Sequence, residues 1–282
     1  DAIFFNGTHE NDYMHREFLR FGKPFITYEH QIPEKKELMK EFYDRITSAH
    51  LVLVPSEFLR DQVYEMFGVE THIMNLPIDT QLFRRKRRTS LLNCLSDRNY
   101  ILLSVCMIKP IRNIEALFYV LSGVLKSIKN VVLLIVGDTP HYISKSYMSY
   151  IRLKAKQLGI SEHVFFLGAF EQPYQLVDIY SIADLYVDAS NSETFGQAKA
   201  EALSCGNFMV TLDIGNNKNL IDTKYRNYLS RDYNLMISTI VKLLRNESLR
   251  LRLGEESRNY IVKKYSVDVS SKRLKELLLR VL

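Results

Sequence analysis

Tryptophan, long apolar runs and paired cysteines are missing from this sequence of 282 residues. Its three cysteines, Cys94, Cys106 and Cys205, lie too far apart for a zinc site, and their odd number does not fit a closed disulfide framework. No uninterrupted stretch of about 18 apolar residues occurs, and the first residues lack the basic flank and apolar stretch of a signal peptide. We therefore expect a reduced, cytoplasmic protein.

Charge of one sign is only slightly in excess, because 38 Lys and Arg face 32 Asp and Glu, for a net charge of +6. This excess mildly favours anionic partners. It is most concentrated in a run of five residues: Arg84, Arg85, Lys86, Arg87 and Arg88. Two interpretations of the run stay open, a solvated linker or a peripheral contact with anionic lipid headgroups. Neither interleaved aromatic residues nor zinc-finger spacing supports a nucleic-acid partner.

Short apolar runs alternate with amphipathic stretches along the chain, which is the pattern of parallel sheets with crossover helices. The fold class is therefore α/β, and the length suggests one large and one small domain. The first alternation predicts strands at 2–5, 25–28, 51–55 and 72–74 and helices at 34–48 and 56–67. In the second helix we expect Ser56 as N-cap, Gly68 beyond the C-terminus, and Leu59, Val63, Met66 and Phe67 on one face.

A second alternation begins at Tyr100, after a polar and basic stretch that we take as the domain boundary. It predicts a doubly wound domain, in which ligands bind outside the carboxyl ends of the strands. The predicted strands are 101–105, 131–136, 164–167, 185–187 and 208–212, and the predicted helices include 113–128, 174–181 and 194–205.

The segment 190–196 follows one of these strands and opens a helix that ends near Gly206. A helix N-terminus offers unpaired backbone N–H groups to phosphates or hydroxyls of a ligand. Glu193 would stand in the loop at this end, and Glu201 a little over two turns further along. Taken alone, an acidic residue and a serine here are also ordinary signals of a helix start.

The run 190–206 resembles the signature of the retaining glycosyltransferase family 4, also called glycosyl transferases group 1. In that signature two glutamates separated by seven residues flank a Phe-Gly pair and precede a turn of small residues that ends in Gly. Further segments match the family in its own order, at 54–59, 75–79, 136–138, 164–168 and 183–185. The resemblance implies a GT-B fold, with two Rossmann-like doubly wound domains facing a cleft. It places a reduced N-terminal, acceptor-side domain and linker at 1–95, a nucleotide-sugar-binding domain at 96–265, and a returning helix at 266–282.

The same resemblance implies that a sugar of hexose type passes from a nucleoside-diphosphate sugar, UDP- or GDP-linked, to an acceptor hydroxyl with retention of configuration. It implies no metal and no cofactor besides the donor. The acceptor stays open among saccharides, lipid-linked sugars and proteins. Two alternatives stay open as well: a catalytically impaired sugar-nucleotide-binding protein, and a sugar-nucleotide epimerase or hydrolase on the same fold.

Residue by residue, the resemblance assigns Glu193 to the donor sugar and Glu201 to the ribose hydroxyls. Remaining donor-binding positions are assigned chiefly through main-chain groups: Gly137, Ala169, Phe170, Thr194, Phe195 and Gly196. Departure of a nucleoside diphosphate leaves negative charge that cations in place must stabilise.

The family meets that charge with an Arg and a Lys in the loop after the first strand of its second domain. Here Arg112 falls on the Lys position and Met107 on the Arg position, while Lys109 is near enough to compensate. A thioether cannot stabilise a diphosphate, so Met107 is the main departure from the family's donor site.

In the first domain, His30 ends a strand where the family's His approaches the donor sugar, and we expect it to belong to the catalytic set with Arg112 and Glu193. His9 is a weaker candidate for contact with the acceptor. The family's first domain normally opens with extra strands and a Gly-rich loop, whereas Asp1 here starts at what would be a middle strand. The sequence is therefore either a fragment or a compact member with a reduced acceptor side.

Overall fold

The computed structural model describes residues 2–7, 20–86, 100–140, 143 and 145–280. It separates the chain into two compact units. The first unit combines residues 1–77 with 265–282, and the second comprises residues 78–264. Each unit is built on a parallel sheet with helices, so the predicted α/β class is confirmed.

The first unit contains a parallel sheet in which the strands lie in chain order. Its elements are β1 (Ile3–Gly7), β2 (Phe25–Glu29), α1 (Lys36–Ser48), β3 (Leu51–Val54), α2 (Glu57–Phe67) and β4 (His72–Ile73). Parallel pairing of β1 with β2 brings Gly7 opposite Glu29, so the carboxyl ends of these strands lie at one edge. His30, which directly follows β2, therefore lies at that edge.

Both faces of this sheet are covered, as expected for parallel strands. Because side chains alternate along a strand, Leu51 and Leu53 point to one face while Val52 and Val54 point to the other. The first face packs with Leu277 of the C-terminal helix, Val267–Leu278. The second face packs with apolar residues of the two crossover helices: Phe42, Ile46, Leu59 and Val63.

Helix α2 begins and ends as its sequence predicts. The Leu59 backbone N–H donates to Ser56 Oγ at 3.2 Å, which caps the N-terminus. Gly68 takes the left-handed conformation at the other end, with φ of 67°. Leu59 and Val63 are fully buried, but the inclusion of Met66 in the buried face is wrong, because Met66 is 53% exposed.

The second unit contains a parallel sheet of order β7-β6-β5-β8-β9. Its strands are β5 (Tyr100–Val105), β6 (Val131–Val136), β7 (Val164–Phe166), β8 (Leu185–Asp188) and β9 (Met209–Thr211). Its helices include α3 (Ile114–Leu125), α4 (Lys145–Gln157), α5 (Pro173–Ile182), α6 (Gln197–Ser204), α7 (Tyr233–Arg245) and α8 (Glu247–Tyr265). From β5 the chain first builds outward to β6 and β7, then returns to place β8 on the other side. The point between β5 and β8 is thus the switch point at which such sheets bind ligands.

The two units divide between Pro77 and Ile78, whereas the sequence predicts a first domain with its linker up to residue 95. The stretch before the predicted boundary joins the second unit through Phe83. The Phe83 carbonyl accepts from Ser204 Oγ at 2.6 Å and from Arg258 Nη1 at 3.0 Å, and its ring packs edge-on against Tyr180. The prediction of the boundary depended on a local change of composition, which does not show such long-range contacts.

Candidate active site

The loops that follow β5 and β8 meet at the switch point of the second sheet. The Asn191 backbone N–H donates to the Ile111 carbonyl at 2.8 Å, and Asn113 Nδ2 donates to Asn191 Oδ1 at 3.1 Å. Asn113 itself takes the left-handed conformation, with φ of 50°, where the short turn Pro110–Arg112 passes into α3. The two loops are therefore tied together, and this tie brings Arg112 beside Glu193.

A cluster of charged side chains lies between these loops, and we call it the 188–199 cluster: Asp188, Ser190, Glu193 and Lys199, with Arg112. Lys199 Nζ lies 2.5 Å from Glu193 Oε2 and 2.8 Å from Asp188 Oδ2. Arg112 Nη1 donates to the same Glu193 Oε2 at 3.2 Å and contacts Ser190 Oγ at 3.4 Å. Ser190 Oγ donates to Asp188 Oδ1 at 2.6 Å. Two cations and two carboxylates therefore balance in one group.

The pairing keeps the cluster ionised in spite of its burial. Burial alone would lower the pKa of the Lys199 ammonium, but the charges of Asp188 and Glu193 outweigh it and raise that pKa. Burial would raise the pKa of Asp188, but Lys199, Ser190 and Arg112 together hold it below its ordinary value. For Arg112, Glu193 and Asp188 likewise outweigh burial and raise the pKa.

Arg112 keeps a hydrogen-bond donor that no residue in the described part of the chain uses. Its Nε is buried and has no hydrogen-bond partner in the described ranges. Lys109, just before the turn, is half-buried and forms no ion pair with any residue that the structure describes. Met107 is 49% exposed on the same loop and brings no charge to it. The loop therefore offers two cations, Arg112 and Lys109, to an anionic group.

The predicted helix at 194–205 is wrong at its start, because α6 begins at Gln197. Gly196 stands before it with φ of 92°, a conformation that costs little only for glycine, so Thr194 and Phe195 belong to the preceding loop. The segment after β9 holds this loop from behind. There the Asn216 N–H donates to the Glu193 carbonyl at 3.1 Å, and Asn216 Nδ2 donates to the Phe195 carbonyl at 3.0 Å.

Glu201 lies on α6 and is 8% exposed. Gln197 Nε2 donates to its Oε1 at 3.1 Å, and the Tyr180 hydroxyl lies 3.1 Å from its Oε2. Burial raises the pKa of this carboxyl, and the hydrogen bonds from Gln197 and Tyr180 oppose the rise. Glu201 is thus oriented by neutral partners, in contrast to Glu193 with its two cations.

The loops after β6 and β7 lie at the same edge of the sheet as those after β5 and β8. The Gly137 N–H donates to the Gly168 carbonyl at 2.8 Å, which joins the two loops. Gly137 has φ of 134°, and a Cβ atom there would collide with the Cys106 carbonyl, so glycine permits the close approach of the β5 and β6 loops. Ala169 is exposed and Phe170 is half-buried in the loop that follows.

His30 directly follows β2 in the first unit. Its Nε2 lies 2.7 Å from Asn6 Oδ1, and its ring packs edge-on against Tyr28. Partial burial lowers the pKa of His30, while the nearby charge of Glu29 opposes that change. His9 lies outside the described residues, and the role of His30 toward a donor stays a prediction.

The described part of the basic run contacts its own unit. Lys86 Nζ lies 3.6 Å from Asp178 Oδ1, and Arg85 Nη2 is 3.4 Å from the Ala183 carbonyl. Arg87 and Arg88 lie outside the described residues, as does Cys94. The predicted lipid contact of this run therefore stays a prediction.

Sequence reasoning did not assign a role to Asp188 or Lys199. The one available signal was a lysine among small residues in the first turn of a helix, three residues after Gly196. Among the described residues, no group of three or more His, Cys, Asp or Glu side chains is placed to hold a metal ion. None of the helices in the described ranges is both long enough and apolar enough to cross a bilayer.

Comparisons with known proteins agree with this architecture. Residues 93–260 match the family model of glycosyl transferases group 1. Alpha-monoglucosyldiacylglycerol synthase of Streptococcus pneumoniae is 30% identical over 164 residues, which are 55% of this chain and 35% of that protein. N-acetyl-alpha-D-glucosaminyl L-malate synthase of Bacillus anthracis is 22% identical over 226 residues, 78% of this chain and 57% of its own length. The matched part of the chain thus spans 35% of the first of these curated relatives and 57% of the second.

Solved structures show the fold. Sucrose-phosphate synthase from Thermosynechococcus elongatus superimposes with a TM-score of 0.84 at 17% identity, over 99% of this chain and 73% of that one. HepE of Anabaena in complex with UDP gives a TM-score of 0.86 at 16% identity, over 99% of this chain and 79% of that one. Both have the GT-B fold. Because the family model covers more than half of the sequence, this chain belongs to the glycosyl transferases group 1, as its glutamate signature predicted.

Proposed function

We propose that this chain transfers a sugar from a nucleoside-diphosphate sugar to an acceptor hydroxyl, with retention of configuration at the anomeric carbon. The observation that carries the proposal is Arg112, whose guanidinium contacts Glu193 while its buried Nε has no partner within the described residues. A buried donor without a partner is costly, and ligand binding is one of the few reasons for a protein to keep it. An anionic group of the donor would supply the missing acceptor.

Arg112 and Lys109 would stabilise the diphosphate as it leaves. Negative charge grows on the leaving phosphate in the transition state, and cations that are already oriented stabilise it without reorganisation. The Arg112 guanidinium is held by Glu193 and Ser190, so its direction is set before the donor binds. Met107 leaves Lys109 as the second cation on this loop.

The loop before α6 would receive the sugar. Glu193 would accept hydrogen bonds from sugar hydroxyls, and the backbone N–H groups of Thr194, Phe195 and Gly196 would face the sugar or phosphate. Glu201 would accept hydrogen bonds from the ribose, and the main chain at Ala169 and Phe170 would hold the base. Gly137 would allow the loops to close around the donor.

The acceptor hydroxyl would attack the anomeric carbon from the face that the diphosphate leaves, and a diphosphate oxygen would take its proton. Glu193 would not act as a covalent nucleophile, since the charge of its carboxylate is balanced by ion pairs with Lys199 and Arg112. The sugar–phosphate bond breaks as the new glycosidic bond forms. The products are a glycosylated acceptor and a nucleoside diphosphate.

Donors linked to UDP are the first to test. Solved structures of HepE of Anabaena contain UDP, UDP with glucose, and UDP-glucose. Because main-chain groups of the protein would hold the base, side chains would discriminate little between uracil and guanine. GDP-linked sugars therefore belong in the same panel. The acceptor is to be sought among saccharides, lipid-linked sugars and proteins.

The test is incubation of the chain with UDP-, GDP- and ADP-sugars and a broad acceptor set, followed by mass spectrometry of the products. A glycosylated acceptor with retained configuration supports the proposal. Free sugar or an isomerised sugar nucleotide would replace it with hydrolysis or epimerisation. Tight binding without any turnover would replace it with a sugar-nucleotide-binding role, for which Met107 would be the first cause to examine.

A further inference from the structure

We propose that Lys199 is a positioning residue that orients the Glu193 carboxylate toward the donor sugar, and that Asp188 fixes Lys199 in turn. The proposal deepens the function proposed above and rests on it for the identity of the ligand. Neither Lys199 nor Asp188 has a role in the family signature on which the site was predicted.

Lys199 is too deeply buried to meet a ligand itself. Its side chain is 2% exposed, and its Nζ lies between Glu193 Oε2 at 2.5 Å and Asp188 Oδ2 at 2.8 Å. A lysine side chain loses much conformational freedom on burial, and its charge loses hydration, so such a placement needs strong compensation. The two carboxylates supply it. Any influence of Lys199 on the donor must therefore pass through Glu193.

The two outer members of the cluster stand on fixed elements, whereas Glu193 stands on a loop. Asp188 is the last residue of β8, and its other oxygen accepts from Ser190 Oγ at 2.6 Å. Lys199 lies in the first turn of α6. Loops between secondary-structure elements move more than the elements themselves. Lys199 thus connects the loop side chain to a strand end and a helix.

The contacts also select which oxygen of Glu193 is available. Lys199 and Arg112 both contact Oε2, and Oε1 has no hydrogen bond to any residue that the structure describes. Glu193 is 11% exposed and Arg112 25% exposed, so the cluster opens on their side. The carboxylate is therefore held with one oxygen engaged and the other able to accept from a sugar hydroxyl.

In this arrangement, the contribution of the sugar to binding can be measured apart from that of the nucleotide. Loss of Lys199 should free Glu193 and weaken the hold on the sugar, while Ser190 still contacts Arg112 and Lys109 is unchanged, so the nucleoside diphosphate keeps most of its contacts. A purely structural lysine would give a different result, because it would affect sugar nucleotide and free nucleotide equally. The ratio of the two dissociation constants distinguishes these roles.

The test compares binding of UDP and of UDP-glucose by calorimetry, or of the matching pair for whichever base the donor panel selects. Lys199→Met leaves Asp188 buried without a cation and can weaken folding, so Asp188→Asn/Lys199→Met is measured beside it. Lys224→Met, at an exposed lysine paired with Glu256, is the matched control.

We expect both Lys199 variants to lose about tenfold in affinity for the sugar nucleotide relative to the nucleotide, and the control to lose nothing. A ratio within about twofold of wild type in the double variant would overturn the proposal, because Lys199 would then serve only as a counter-ion.

A crystal structure of the double variant without ligand decides the same point independently of the reaction. We expect the Glu193 side chain to leave its place beside Arg112 or to adopt several positions. An unchanged Glu193 would overturn the positioning role. If wild type binds no sugar nucleotide, the proposed function fails, and this structural result still decides what Lys199 does.

Discussion

Each unit of the chain buries a group of charges near the carboxyl ends of its strands, and the two groups are built differently. In the first unit, Arg45 donates to both oxygens of Glu29, at 2.8 and 2.9 Å, and Thr27 Oγ1 donates to the same carboxylate at 2.5 Å. Glu29 and Arg45 are each 1% exposed. The Arg45 guanidinium lies 5.4 Å from the centre of the Phe5 ring and 5.5 Å from that of Phe42.

The 188–199 cluster of the second unit has the same kinds of group but is not closed. Its Glu193 keeps Oε1 and its Arg112 keeps Nε without a partner among the described residues, and both side chains reach solvent. The Glu29–Arg45 pair satisfies its charged atoms internally and so contributes structure. Within the described residues, a carboxylate oxygen and a guanidinium N–H without partners meet at the switch point of a sheet, which favours a binding role for this cluster.

The largest effect on stability is expected from breaking the closed pair. Arg45→Met leaves the Glu29 carboxylate buried without its cation, and we expect the free energy of unfolding to fall by about 3–5 kcal/mol. Urea unfolding followed by circular dichroism measures the loss. Glu29→Gln/Arg45→Met should recover most of it, because no unpaired charge remains. A loss below about 1 kcal/mol in the single variant would show that the pair is not closed in solution.

Arg112→Met, in the 188–199 cluster, should have the opposite effect to Arg45→Met, namely a large loss of activity with little loss of stability. Here kcat/KM with the sugar nucleotide should fall about 100- to 1000-fold, because a cation that stabilises the leaving diphosphate is lost. Stability should change little, since Glu193 keeps Lys199 as its partner. The kcat/KM of Arg112→Lys, which retains the charge, should lie between those of wild type and Arg112→Met. Unchanged kcat/KM together with a large loss of stability would make the 188–199 cluster as structural as the Glu29–Arg45 pair.

The smallest expected effect is on the pH dependence of stability. The folded protein holds the pKa of Asp188 below its ordinary value of 3.8, so this carboxylate stabilises the fold above that pH. Its contribution should be lost as the pH falls from 3.8 through the lower folded pKa. Relative to Asp188→Asn/Lys199→Met, wild type should therefore lose stability below about pH 4, by at most about 1.4 kcal/mol per pH unit. Urea unfolding at a series of acidic pH values checks this, and a constant difference would contradict it.

Much of the fold follows from apolar pattern and turn residues. Strand β6 was predicted to the residue, because six consecutive apolar side chains are buried between two layers of helices. Helix α2 was bounded by Ser56 and Gly68, whose preferences are local. The start of α6 was placed three residues too early, because Gly196 in the left-handed conformation ends the loop rather than continuing the helix.

The site was predictable where a motif existed and not where tertiary packing decides. The family resemblance indicated Glu193 through the glutamate signature and Arg112 through the loop after β5, and the structure brings these two together at 3.2 Å. The sequence did not indicate Lys199, because a lysine on a helix is usually solvated and only packing shows its burial. Without Lys199, its partner Asp188 could not be recognised either. The division between the units also depends on long-range contacts, namely those of Phe83 with Ser204 and Arg258.

The most direct test of the account is the kcat/KM of wild type and of Glu193→Gln with the donor that the sugar-nucleotide panel identifies. The substitution keeps the size of the side chain and removes the charge that Lys199 and Arg112 hold in place. We expect kcat/KM to fall at least about 100-fold, with the unfolding transition close to that of wild type. A Glu193→Gln enzyme with normal kcat/KM would contradict the claim that the 188–199 cluster is the donor site.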